Sequence, residues 1–112
     1  MPFMAQAQEE EEIYTVVEDA PQFPGGEKAR VKYIQDNLDY PESAQKNNVE
    51  GTVYITFVIE KDGSVTEVEV LRGIEESCNK AALEVVKSMP KWIPGKQRGK
   101  PVRVKFNMPL RF

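Results

Sequence analysis

The sequence contains no histidine and a single cysteine, Cys78. The first absence removes His-based triads and the commonest metal ligand. The second excludes a disulfide within the chain. No apolar run is long enough to span a bilayer, so any membrane anchor has to lie outside these residues. Each sign of charge is also missing from one end. No base precedes Lys28, while Glu9 to Glu12, Glu18 and Asp19 make the start acidic. No acid follows Glu84, where Lys87, Lys91, Lys96, Arg98, Lys100, Arg103, Lys105 and Arg111 gather. This asymmetry reads either as a solvated acidic tail and a solvated basic face, or as a basic surface that attracts an acidic peptide. The net charge of −3 gives no global reason to expect nucleic-acid binding.

A chain of 112 residues fits one domain with one core. Residues 1–23 are poor in apolar groups and read as a flexible acidic tail or linker, in which Ile13–Val17 can form a short extended segment. Within it, Ala5-Gln6-Ala7 is similar to the small-residue end of a secretory signal, and an ordinary linker remnant fits it equally. The domain itself is expected over residues 24–112. Pro24-Gly25-Gly26 punctuates the chain. Val31, Ile34 and Leu38 then recur at helical spacing, so Glu27–Leu38 reads as a helix. Asp39-Tyr40-Pro41 breaks it, because the residue before proline is pushed out of the α region. Pro41 suits the first turn of a second short helix, Glu42–Asn47.

Beyond Gly51, Val53, Ile55, Phe57 and Ile59 alternate with Thr52, Tyr54, Thr56 and Val58, which predicts a strand. Asp62-Gly63 is a hairpin pair whose two positions tolerate positive φ. Val65–Leu71 is the return strand. Ser77 can cap a helix running to Met89, with Cys78, Ala82, Val85, Val86 and Met89 as its apolar stripe. After a Pro- and Gly-rich loop, Val102, Val104, Phe106, Met108, Leu110 and Phe112 alternate with polar residues in a third strand. Pro109 has no N–H for a ladder and places that strand at an edge. A right-handed crossover around the last helix leaves a slot between the second and third strands, and the most apolar strand, the first, fills it. The expectation is an α+β fold: a three-stranded antiparallel sheet of order 2-1-3 with helices packed on one face.

Enzyme chemistry finds little support. No pair of carboxylates stands out as acid and base. Cys78 lies on an apolar helix face and reads as a structural thiol. Lys61-Asp62-Gly63-Ser64 falls far short of a calcium loop, and Gly25-Gly26 lacks a phosphate-cradling context. Trp92, between two prolines, reads as a core anchor rather than a ligand platform. Tyr40-Pro41, taken alone, reads as a corner between helices. The last strand leaves a choice open. Its cations Arg103, Lys105 and Arg111 either deter aggregation at an exposed edge or help to select an acidic strand that adds to it.

Several pieces in order resemble the TonB C-terminal domain family. They are Pro24-Gly25-Gly26, Tyr40-Pro41-Glu42-Ser43-Ala44, Gly51-Thr52-Val53 with Phe57-Val58, Asp62-Gly63, Ala81 to Met89, Trp92-Ile93-Pro94-Gly95 and the closing alternating strand. The resemblance covers roughly Val16 to Phe112, and the Gly-Gly helix ahead of Tyr-Pro is the flavour of Bacteroidetes-type versions. It implies a periplasmic module that binds the TonB box of outer-membrane TonB-dependent transporters by strand addition, transmitting proton-motive-force energy for nutrient or siderophore uptake. ExbB and ExbD are implied as partners only if a membrane anchor lies upstream. Carried onto this chain, the strand-adding residues are Arg103, Lys105, Asn107 and Arg111, and the transporter contact at the Tyr-Pro corner is Asn37, Asp39, Tyr40 and Pro41. No catalysis, cofactor or metal is implied. Two other readings share the same domain: a free-standing exported adaptor, and the ligand-sensing tail of a membrane peptidase or receptor. An unpaired edge also permits a homodimer through edge strands.

Overall fold

A computed structural model describes residues 12–112. Ala5-Gln6-Ala7 and most of the acidic run lie outside the described residues. The elements are β1 (Ile13–Tyr14), α1 (Glu27–Asn37), α2 (Glu42–Lys46), β2 (Thr52–Ile59), β3 (Val65–Arg72), α3 (Glu76–Lys87), β4 (Lys96–Gln97), β5 (Lys100–Pro101) and β6 (Arg103–Arg111). The three long strands stand in the expected order, with β2 between β3 and β6 and antiparallel to both. The sheet is nevertheless not three-stranded and antiparallel. β1 adds to the outer side of β6 in parallel, pairing Ile13 with Arg103 and Tyr14 with Val104, so the sheet is four-stranded and mixed. Two residues carry no periodicity, so tertiary pairing alone places them in a sheet.

The stretch ahead of Pro24 does not behave as a tail once past Glu12. Backbone bridges tie Asp19 to Lys96 and Gln22 to Ile93. Pro21 and Phe23 are buried, and Phe23 packs edge-on against Trp92 at a centroid distance of 5.6 Å. Glu18 accepts a hydrogen bond from the Arg98 backbone N–H at 2.6 Å, at the tip of the small β4–β5 hairpin. The arm is therefore held by the basic C-terminal half of the chain, and packing begins before the boundary expected from composition.

The core lies on the odd-numbered face of β2, where Val53, Ile55, Phe57 and Ile59 are buried. Val104, Met108 and Leu110 of β6 continue it, and α3 covers it with Cys78, Ala82, Val85 and Val86. Ala44 of α2, Trp92 and Met89 close its ends. Burial pushes the Cys78 thiol above its ordinary range, with the nearby Glu75 carboxylate adding to the shift. That is the condition of an inert structural cysteine.

Local chemistry explains the departures from simple periodicity. In α1 the apolar stripe is Ala29, Tyr33 and Ile34, while Val31 faces solvent. The cap of α3 is Glu75, without a side-chain bond, and Ser77 lies inside the first turn. In β3, Val65 and Val68 are three residues apart, which would put them on opposite faces of a regular strand. A register shift opposite Phe57 restores both, together with Val70, to the core side. Glu67 absorbs the extra residue with φ 49°. At the Asp62-Gly63 turn only Gly63 has positive φ. Gly63 N–H donates to Glu60 O and Glu60 N–H donates to Ser64 O, a three-residue loop rather than the two-residue one expected. A Cβ on Gly63 would sit 2.0 Å from the Trp92 carbonyl oxygen, so packing as well as φ demands glycine there.

Candidate functional site

The outer side of β6 is the feature with the clearest chemical capacity. Phe112 N–H donates to Gly51 O at 2.8 Å, and Gly51 N–H donates back to Phe112 O at 3.3 Å. This reciprocal pair fixes the phase of the antiparallel ladder. Counting back from it, Leu110, Met108, Phe106 and Val104 turn their backbone groups toward Val53, Ile55, Phe57 and Ile59 of β2. Arg111, Pro109, Asn107 and Lys105 turn theirs outward. Pro109 thus falls where no ladder bond within the sheet is lost. Among the described residues, β1 is the sole neighbour on that side, and it pairs only as far as Val104. With the backbone of Val104 turned to β2, that parallel pairing uses the Arg103 carbonyl and the Lys105 N–H; from the Lys105 carbonyl to Arg111 the edge is unpaired within the described residues.

Side chains on this strand divide by face. Lys105, Asn107 and Arg111 are exposed, on the face away from the helices. Arg103 is differently placed from what its alternation suggests. Its Nε donates to Glu60 Oε1 at 2.8 Å and its Nη2 to Glu60 Oε2 at 3.1 Å, with a further bond from Nη2 to Glu67 Oε2 at 2.7 Å. Its side chain is only 18% exposed. Arg103 therefore spans β2 to lock the two flanking strands together. The Arg103 hydrogen bonds hold the Glu60 carboxyl below the usual glutamate range, against the opposing effect of burial, and Thr66 Oγ1 adds a further donor. The Arg103 guanidinium is correspondingly shifted up, first by its hydrogen bond to Glu60. Outward basic charge at the edge comes from Lys105 and Arg111.

The Tyr-Pro corner is split in a similar way. Asn37, Asp39 and Pro41 line a hollow of about 420 Å³ facing Ser77, Lys80 and Glu84 of α3. Asn37 also donates from Nδ2 to the Tyr33 carbonyl at 2.8 Å, one turn back along α1. Tyr40 is not part of that hollow. Its hydroxyl donates to the Val49 carbonyl, and its ring meets Phe112 edge-on at 5.6 Å. Tyr40 is half-buried and fastens the end of β6 to the α2–β2 connection. The corner and the edge are thus joined through Tyr40 and Phe112.

The profile described as "Gram-negative bacterial TonB protein C-terminal" matches residues 36–112. The chain belongs to the TonB C-terminal domain family. Protein TonB from two strains of Helicobacter pylori is 41% identical over 62 residues, 54% of this chain and 22% of each relative. The match thus spans about a fifth of the length of those proteins. Two solution NMR structures of the Helicobacter pylori TonB C-terminal domain share the fold. One has a TM-score of 0.58 at 31% identity, covering 73% of this chain and 74% of that one. The other has a TM-score of 0.59 at 30% identity, covering 76% and 89%. The arm carrying β1 precedes the residues matched to the family.

Two features of the TonB-type fold here were not legible as site features in the sequence. One is β1 on the outer side of β6. The other is a hollow beside Phe106, lined by the buried arm and Trp92. Pro21 and Phe23, apolar residues ahead of the Pro-Gly-Gly punctuation, were the available signal for the second.

Proposed function

We propose that this chain is the periplasmic receiving domain of a TonB-type energy transducer, and that it captures the TonB box of an outer-membrane transporter as a strand added to β6. The observation that carries this reading is the outward backbone of Asn107, Pro109 and Arg111, with the Lys105 carbonyl, unpaired among the described residues on an otherwise ordered strand. Main-chain hydrogen bonds along such an edge supply affinity, and neighbouring side chains supply selectivity. Lys105 and Arg111 favour a segment bearing Asp or Glu, while Arg103 stabilises the receiving sheet. Asn37, Asp39 and Pro41 form the secondary contact at the corner, with Tyr40 setting their position relative to β6. A strand pulled along its axis loads several backbone bonds together, which suits transmission of force to a transporter. ExbB and ExbD enter only through an inner-membrane anchor upstream of this domain. No helix of the described residues is long and apolar enough to cross a membrane.

The test is a ¹⁵N-labelled NMR titration with TonB-box peptides from transporters of the same bacterium. The expected result is shifts concentrated at Lys105–Arg111, with smaller ones at Asn37 and Asp39. Binding should weaken with added salt, because exposed charge pairs are screened over about 10 Å at 0.1 M. Shifts that avoid β6 would remove the proposal.

A further inference from the structure

The hollow beside Phe106 has about 420 Å³ of space and is bounded by Pro21, Phe23, Glu27, Arg30, Trp92 and Phe106. Phe106 is its sheet residue, on the helix-facing side of β6, at the unpaired part of the edge. It is only half-buried, although Val104 and Met108 on the same face are buried. The core face is therefore left open at this one level of the strand. Trp92 forms the back wall. It is 4% exposed, and its enclosed indole Nε1 has no hydrogen-bond partner among the described residues. A donor buried this deeply ordinarily has an acceptor.

β1 shows how an added strand sits at this edge. It runs parallel to β6 with Tyr14 opposite Val104, and directly paired residues share a face of the sheet. Two residues further in the same register, a side chain opposite Phe106 would point to the helix side, at the mouth of the hollow. In this chain that residue is Val16. The chain bends away after Tyr14, and Val16 is 83% exposed. The chain's own strand thus stops just short of the hollow and leaves the position to an incoming one.

We propose that this hollow is a side-chain pocket of the docking edge, and that it takes one aromatic residue of the added strand, the residue opposite Phe106. The inference rests on the strand-addition reading and extends it to what the strand must carry. A dry cavity of about 150 Å³ already accommodates benzene, so there is room for a ring. The walls are aromatic, with Trp92 5.1 Å from Phe106 and 5.6 Å from Phe23 between ring centroids. Edge and face contacts with such walls favour a ring over an aliphatic chain. At the rim, the Arg30 guanidinium stands 3.6 Å from Glu27 and can lie over the face of an entering ring.

The test uses a TonB-box decapeptide from a transporter of the same bacterium, with each position replaced in turn by Ala, Phe and Tyr. Trp92 is the only tryptophan, so its indole N–H gives one resonance. At one peptide position, and no other, Phe and Tyr should bind at least tenfold more tightly than Ala. Those peptides alone should move the indole resonance. Arg30→Ala should lower the aromatic-over-alanine ratio by at least threefold. An indole resonance that stays still, with Phe and Ala peptides within twofold at every position, would overturn the pocket. If the Lys105–Arg111 amides still shift in that case, strand addition survives without it. If those amides do not respond to any peptide, both readings fall together.

Discussion

Replacing Arg103 by methionine isolates the Glu60–Arg103–Glu67 network while keeping an aliphatic stem over β2. Two hydrogen bonds to Glu60, at 2.8 and 3.1 Å, would be lost. The bond to Glu67 would go as well, but the Glu67 side chain is 57% exposed and contributes little, on the order of 0–1 kcal/mol. Glu60 is only 23% exposed, so losing its partner leaves a poorly hydrated carboxylate. Hydrogen bonds to charged groups contribute roughly 1.5–3 kcal/mol, and discounting for the residual exposure of Glu60 gives a loss of about 2 kcal/mol. For a domain of this size that corresponds to a fall in Tm of roughly 8 °C. The pH dependence has a definite sign. Glu60 is held below the usual glutamate range in the folded state. Its contribution is therefore fully present above the unfolded value of about 4.3 and is lost as pH falls through the lower folded value. Urea unfolding followed by Trp92 fluorescence at pH 7 and at successively lower pH measures both effects. The gap between the native protein and Arg103→Met should be constant above about pH 5.5 and should narrow as pH falls through the glutamate range. A gap below about 0.5 kcal/mol at pH 7, or one that does not narrow on acidification, would refute the role given to this network.

Asn107→Pro removes an outward N–H and should leave stability within about 1 kcal/mol of the native protein, while weakening TonB-box binding at least tenfold by isothermal titration; Phe106→Pro, one residue away but facing β2, should cost well over ~3 kcal/mol in urea unfolding. Equal destabilisation by the two prolines would show that the ladder phase is assigned wrongly. Tyr40→Phe loses the hydroxyl bond to the Val49 carbonyl and should cost about 1 kcal/mol in thermal unfolding, with peptide affinity unchanged. Cys78 is fully buried with a raised thiol, so an aromatic disulfide reagent should modify it only at the rate of unfolding, and rapid labelling of the native protein would contradict its placement.

The long elements were legible because each carried its own period. β2 and β6 alternate, α3 has a stripe that is buried as expected, and the crossover together with the apolar character of β2 put that strand in the middle of the long strands. What escaped was decided by contacts between distant residues. β1 is too short for a pattern, and its place beside Arg103 depends on the whole domain between them. The bulge at Glu67 was written in the three-residue spacing of Val65 and Val68, a signal that strict alternation conceals. Arg103 and Lys105 look equivalent on the strand, two residues apart on one face. Only the end of β2, where Glu60 comes within reach, separates a structural arginine from an outward lysine. Tyr40 and its neighbours at the corner diverge for the same reason: the chain turns there, and the side chains of Tyr40 and Pro41 point to different surroundings.

The most direct measurement of strand addition at β6 is amide hydrogen exchange residue by residue along that strand, with and without a TonB-box peptide. In the free domain the Phe106, Met108 and Leu110 amides, bonded to β2, should exchange slowly, and those of Asn107 and Arg111 should exchange fast. With the peptide at saturation, the fast set should become protected by at least tenfold while the slow set changes little. Protection that appears elsewhere, with Asn107 and Arg111 still exchanging as in the free protein, would contradict docking at this edge.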